Sequence, residues 1–178
     1  LSMRMNVSEG KYLEFAYALA PNSFQLDYSI NLVGLEGLVQ SNSPIELDWS
    51  LAILGQELSR YNEALNTSVY YYHEGEVDYL SSTSNDNERV IDVDWIAFKS
   101  QYFSTVLKAQ DLSKEITVST VELPNSQNFL KTLSAKASLE YIGGTNSYSM
   151  DWYFVPNHVK TLKSYGIGLE ELVPLGWS

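Results

Sequence analysis

Lys11-Tyr12-Leu13-Glu14-Phe15-Ala16-Tyr17-Ala18-Leu19-Ala20, then Pro21-Asn22-Ser23, then Phe24-Gln25-Leu26-Asp27-Tyr28-Ser29-Ile30-Asn31-Leu32: this stretch decides the fold. In the first run Leu13, Phe15, Tyr17 and Leu19 recur at every second residue, and in the second Phe24, Leu26, Tyr28, Ile30 and Leu32 do the same. A period of two puts those side chains on one face of an extended strand, because successive Cβ atoms point to opposite sides of the backbone. Pro21-Asn22-Ser23 supplies turn chemistry between them. The two runs therefore form an antiparallel hairpin with one apolar face and one polar face, the latter carrying Gln25, Asp27, Ser29 and Asn31.

The same period continues outward. After a Gly-, Ser- and Asn-rich loop from Gly34 to Pro44, the residues Ile45, Leu47, Trp49 and Leu51 predict a strand up to about Leu54. Tyr70-Tyr71-Tyr72-His73 and Val77-Asp78-Tyr79-Leu80 flank Glu74-Gly75-Glu76 and predict a second hairpin, turned at or near Gly75. Ser81 to Arg89 reads as a polar loop tip. Trp95-Ile96-Ala97-Phe98, within Val90 to Leu107, is apolar on both faces, as a central strand covered on both sides must be. Three more runs follow, Glu115 to Glu122, Lys131 to Ile142 and Ser147 to Phe154, and Gly143-Gly144-Thr145-Asn146 reads as a hairpin turn between the last two. Only after Pro156 does the period change. Asn157 is placed to cap a short helix holding Val159, Leu162 and Tyr165 and ended by Gly166; a second short turn, Leu169 to Leu172, precedes Pro174. The expected architecture is a single all-β domain over residues 1–178, mostly antiparallel, in two stacked sheets, with a helical appendix over residues 156–178.

Composition narrows the chemistry. The 178 residues carry 11 Lys+Arg against 22 Asp+Glu, a formal charge of −11 that repels phosphate backbones, so nucleic acid is not an expected partner. Cysteine is absent, which removes disulfides, thiolate metal sites and thiol nucleophiles. The 13 tyrosines suit pleated, half-buried surfaces. There is no apolar run of the ~20 residues a spanning helix needs, and Leu1-Ser2-Met3 lacks the features of a signal peptide, so the sequence reads as an excerpt or a processed form.

Three motifs carry a resemblance. Asp94-Trp95-Ile96-Ala97-Phe98-Lys99-Ser100-Gln101-Tyr102-Phe103-Ser104-Thr105-Val106-Leu107 resembles the W-I-A-F-K-x-x-F-F-x-x-V-L signature of the periplasmic domain of Bacteroidetes-type YidC membrane-protein insertases. Tyr153-Phe154-Val155-Pro156-Asn157-His158-Val159-Lys160-Thr161-Leu162-Lys163 resembles that family's Y-x-G-P-N-x-Y-K-x-L-K, and Leu172-Val173-Pro174-Leu175-Gly176-Trp177 its I-P-L-G-W. The resemblance spans roughly Ile45 to Ser178, with departures at Tyr102, Val155 and Val159. It implies a β-supersandwich like that of galactose mutarotases, its first part lying outside this sequence, on the periplasmic face of the bacterial inner membrane. It also implies partners: Sec translocon accessory subunits and nascent membrane proteins. Pro174 and Trp177 would then lie near the membrane, where an indole can bury its ring and keep its N–H wet.

Each candidate site has a plainer reading beside it. Trp95, Phe98, Tyr102 and Phe103 could line a cleft for unfolded client or partner segments, but apolarity on both faces more often means a sheet interior. Sugar chemistry on a mutarotase-like fold would need a His and Glu acid–base pair, and His73 and His158 read instead as solvated or capping residues. Asn85-Asp86-Asn87-Glu88 with Asp92 and Asp94 lacks the glycine and ligand spacing of a calcium loop. Tyr70 to Tyr72 could be a stacking platform, yet alternation sends Tyr71 to the opposite face. Glu57, Arg60 and Glu63 read as surface groups able to pair with one another. The expectation is a non-catalytic accessory domain of an insertase without metal or cofactor; the alternative is an extracytoplasmic carbohydrate-binding or carbohydrate-active sandwich.

Overall fold

The alternating runs become strands in a computed structural model of the chain, which describes residues 1–35, 37–38, 44–110, 115–139 and 147–174. The strands are β1 (Ser2–Ser8), β2 (Lys11–Leu19), β3 (Gln25–Val33), β4 (Ile45–Leu54), β5 (Ser68–His73), β6 (Glu76–Tyr79), β7 (Asp86–Ile91), β8 (Val93–Lys99), β9 (Phe103–Ala109), β10 (Glu115–Glu122), β11 (Phe129–Leu139) and β12 (Ser147–Pro156). Two short helices, α1 (Arg60–Leu65) and α2 (Val159–Lys163), and a 3₁₀ turn at Leu169–Leu172 complete the described elements. The strands form an eight-stranded sheet, ordered β1-β2-β3-β12-β9-β8-β5-β6, and a four-stranded one, ordered β4-β11-β10-β7, with every pairing antiparallel. A two-layer antiparallel sandwich with short C-terminal helices is the expected class.

Register follows the apolar pattern. Leu13 faces Leu32, Phe15 faces Ile30, Tyr17 faces Tyr28 and Leu19 faces Leu26 across β2 and β3. A slip by one residue would turn all of these to the other face, so burial fixes the register. The β5–β6 turn sits where Gly75 placed it: Glu74 and Gly75 both have positive φ, 51° and 88°, the geometry of a two-residue turn that matches strand twist. In the centre, β8 pairs with β5 and β9. Its Ile96 and Phe98 enter the core between the sheets, while Trp95 and Ala97 enter a second core on the outer face. That outer core is roofed by Leu162, Leu169 and Leu172, all at 0% exposure. Full burial of such side chains stabilises by about 1.5–3 kcal/mol each, so the appendix is an integral layer.

Three expectations are corrected and one strand is added. The added strand is β1, where Met3, Met5 and Val7 alternate. The polar tip assigned to Ser81–Arg89 ends early: Asp86 already begins β7, whose Val90 enters the core while its other residues stay outside it. β11 and β12 do not form a hairpin, since β11 pairs with β4 and β10 and β12 with β3 and β9 in the other sheet; residues 143–146 themselves lie outside the described residues. Finally, α2 has His158 rather than Asn157 at its N-cap. The Asn157 side chain instead donates to the Ser100 and Gln101 carbonyls and accepts from the Ser104 hydroxyl, tying the end of β12 to the β8–β9 turn.

Candidate interaction surface

The four residues of the expected cleft do not come together. Trp95, 1% exposed, lies in the outer core and donates its indole N–H to the Ile167 carbonyl at 2.8 Å, whereas Phe98, 2% exposed, lies in the inner core stacked on Trp49 with ring centres 3.6 Å apart. Three residues of separation on a strand send them to opposite faces. Tyr102 and Phe103, 55% and 63% exposed, stand on and just after the β8–β9 turn. Pro174 is exposed, and Trp177 lies outside the described residues.

The other candidates are engaged in structure. Tyr70 stacks on Tyr79, with the Lys99 ammonium 5.6 Å from its ring centre, and Tyr72 stacks on Trp95. Tyr71 points inward and donates its hydroxyl to Glu88, joining the two sheets. Asn85 accepts from the Glu122 amide and Asp86 from the Ser81 amide, so that acidic run organises backbone. His73 packs its ring by Tyr71, and His158 meets the Thr161 hydroxyl on α2. Among the described residues, no three His, Asp or Glu converge as a metal site would require. The Glu57, Arg60 and Glu63 group is not a set of surface pairs. Glu63 is buried and accepts from the Gln56 and Glu57 amides, while Arg60 donates to the carbonyls of Ser126, Gln127 and Phe129.

Two buried lysines escaped the sequence reading. Lys131 is fully buried; its ammonium donates to the Ala64, Thr67 and Ser82 carbonyls and lies 2.9 Å from Glu122. That carboxylate oxygen is near enough to pair by charge, though off the line of a hydrogen bond. Lys99 donates to the Asn66 carbonyl, and burial lowers its pKa. Lys131 falls on an alternating apolar run, where a lysine reads as a surface residue.

Two open surface features remain, one apolar and one acidic. Trp49 of β4 packs on Phe98 of β8 and edge-on to Trp152 of β12, and the smaller sheet reaches Val69 and Tyr71 of β5 on one side and Ile30 and Leu32 of β3 on the other. The inward face of the β1–β2 wing extends past it, leaving Met3, Met5 and Leu19 exposed. On the outer face, a shallow depression of about 410 Å³ is lined by Ala16, Ala18, Ser29 and Ser149 and by the directly opposed Asp27 and Asp151.

Comparison with known proteins adds lineage to this geometry. The family profile described as YidC periplasmic domain matches residues 1–178, extending the resemblance to residues 1–44. A membrane protein insertase YidC of Parabacteroides distasonis is 33% identical, covering 98% of this chain and 29% of its own. That of Bacteroides fragilis is 32% identical over 99% of this chain and 30% of its own, and that of Chlorobium luteolum 23% identical over 99% and 31%. The chain thus spans about 30% of the length of the curated relatives it matches. Among solved structures, the Slr1438 protein of Synechocystis aligns with a TM-score of 0.46 and 10% identity over 86% of this chain and 60% of its own. No helix among the described residues is long and apolar enough to cross a membrane.

Proposed function

Because this chain belongs to the YidC periplasmic domain family, we propose that it serves as a non-catalytic accessory module at the periplasmic face of the inner membrane, holding apolar segments of nascent membrane proteins. The observation that carries this reading is the inward face of the β1–β2 wing. Met3 and Met5 stand exposed beside Phe15 and Leu13, their cross-strand partners. Methionine is flexible and polarisable, so such a face can repack against many apolar sequences. A contact surface of this kind needs no acid–base pair. The Sec translocon accessory subunits are the second class of partner proposed for the same module.

The test is site-specific photocrosslinking in a full-length insertase carrying this domain, with a probe at Met5 and a control probe at Arg4, on the opposite face and ion-paired to Glu14. During insertion of a client, the Met5 probe should capture the client or a Sec subunit and the Arg4 probe should not. Capture only of another part of the insertase itself would refute the reading. The carbohydrate alternative rests on the depression at Asp27 and Asp151; saturable sugar binding lost in Asp27→Asn would favour it.

A further inference from the structure

The two ends of the sandwich differ in their exposed carboxylates. Five connections meet at one end, residues 20–24, 55–67, 80–85, 100–102 and 123–128, and the appendix leaves from it after Pro156. The ladders fix this, since Leu19 pairs with Leu26, Lys99 with Ser104 and Ser68, and Pro156 with Phe103. Lys131 and Lys99 bind the exit of α1 to the same end. In those five connections and in residues 157–168 Glu57 is the only exposed carboxylate, Glu63 being buried; exposed Glu171 follows on the 3₁₀ turn, whose Leu169 and Leu172 pack on the outer face. At the adjoining strand ends, Asp86 accepts from Ser81 and Glu122 faces Lys131. The opposite end carries exposed Glu9, Glu74, Glu76, Asp92 and Asp94.

The carboxylate-poor end is instead studded with large apolar side chains. Leu58, Tyr61, Tyr102 and Phe103 are all more than half exposed, and Leu19 and Phe154 stand beside them on the strand ends. They come from the β4–β5 and β8–β9 connections and from the strand ends beside them, and such scattered side chains suit a broad soft surface better than a bound peptide. Beside them α2 holds out Lys160 and Lys163, exposed and without a carboxylate partner among the described residues. The Tyr165 hydroxyl that follows accepts from the Phe24 amide and keeps α2 at this end. A chain of charge −11 thus presents one apolar, locally cationic face.

We propose that this end docks on the surface of an anionic lipid bilayer, with Leu58, Tyr61, Tyr102 and Phe103 seated at headgroup depth and Lys160 and Lys163 against lipid phosphates. Aromatic and aliphatic side chains with flanking lysines are what the interfacial zone accepts. The acidic end, turned away, avoids the negative surface potential. This surface meets the β1–β2 wing only at Leu19, and probes at Met5 and at position 58 report on the two separately.

The chain has no cysteine, so Leu58→Cys and Glu74→Cys can each carry a single polarity-sensitive fluorophore. With vesicles of phosphatidylethanolamine and phosphatidylglycerol, the label at position 58 should report an apolar environment and that at 74 should not change. In co-sedimentation, the double variant Tyr102→Ser with Phe103→Ser should bind about tenfold more weakly, and Lys160→Glu with Lys163→Glu should lose a similar factor on phosphatidylglycerol vesicles but little on pure phosphatidylcholine. All four positions lie at the surface, and unchanged circular dichroism confirms folding. Absence of vesicle binding at millimolar lipid, equal responses from both labels, or binding indifferent to both double variants would overturn the proposal. So would a lipid-free, concentration-dependent dimer abolished by the aromatic variant, which would make a second copy the occupant.

Discussion

Lys131 occupies a place where water cannot reach it, and its three protons are met by the carbonyls of Ala64, Thr67 and Ser82. Those carbonyls belong to the exit of α1 and the β6–β7 connection, so one ammonium ties both to β11 at the carboxylate-poor end of the core. Lys131→Met keeps the length of the side chain but strands the carbonyls and leaves Glu122 unpaired. The expected loss is about 3 kcal/mol in urea denaturation, with partial recovery in Lys131→Met combined with Glu122→Gln; a loss below about 1 kcal/mol, the scale of an exposed pair, would contradict the keystone role. The tyrosines give a second residue-scale expectation. Burial above all, then Tyr17, pushes Tyr28 up to about 12, and burial followed by Asp151 does the same to Tyr153. Tyr71 is raised as well, by burial and then by its bond to Glu88. In the unfolded chain these phenols ionise near 10, so above that pH the unfolded state binds fewer protons than the folded one. Stability should be unaffected below about pH 10 and fall between about pH 10 and about pH 12. Phenolate absorbance followed alongside circular dichroism checks this: late-titrating tyrosines should ionise only as structure is lost.

At the scale of elements, β8 and the C-terminal appendix form one unit. Trp95 reaches through the outer face to the Ile167 carbonyl, and the next residue, Gly168, takes φ +81 so that the chain can turn into the 3₁₀ segment. A Cβ there would lie 3.2 Å from the Tyr72 ring, in a backbone region that side chains avoid. Gly168→Ala should therefore destabilise by about 1–2 kcal/mol and should selectively accelerate amide exchange at Val173 and around it, leaving β10 and β11 protected. Uniform acceleration across both sheets would mean that the appendix has no stability of its own to lose.

For the whole molecule, the sandwich and its appendix share burial: Trp95, Val106, Tyr153 and Val155 are covered only because α2 and the 3₁₀ turn lie on them. A chain ended after Pro156 should expose that outer core, bind a hydrophobic dye such as ANS and aggregate, whereas a detachable appendix would leave a monomer with native near-UV circular dichroism. The all-β class, most strand bounds, the β2–β3 and β5–β6 hairpins and the central place of Trp95 to Phe98 were legible in the sequence, because side-chain alternation and turn residues are local properties of the chain. Ile45–Leu54 and Glu115–Glu122 needed nothing more. Membership of the family was legible too, through motifs. The partition of strands into two sheets was not, because β3 meets β12 across more than a hundred residues and no local signal says which apolar edge will find which. The same reason undid the expected cleft: Trp95 and Phe98 share a motif, but only packing on both sides of β8 shows that each fills a different core. It also hid Lys131, since a buried cation is tolerable only where distant carbonyls converge on it. Alternation along the chain thus determined which faces are apolar, and the tertiary structure alone decided what covers each face and which end of the molecule is left bare, because burial is a property of contacts between segments that the sequence keeps apart.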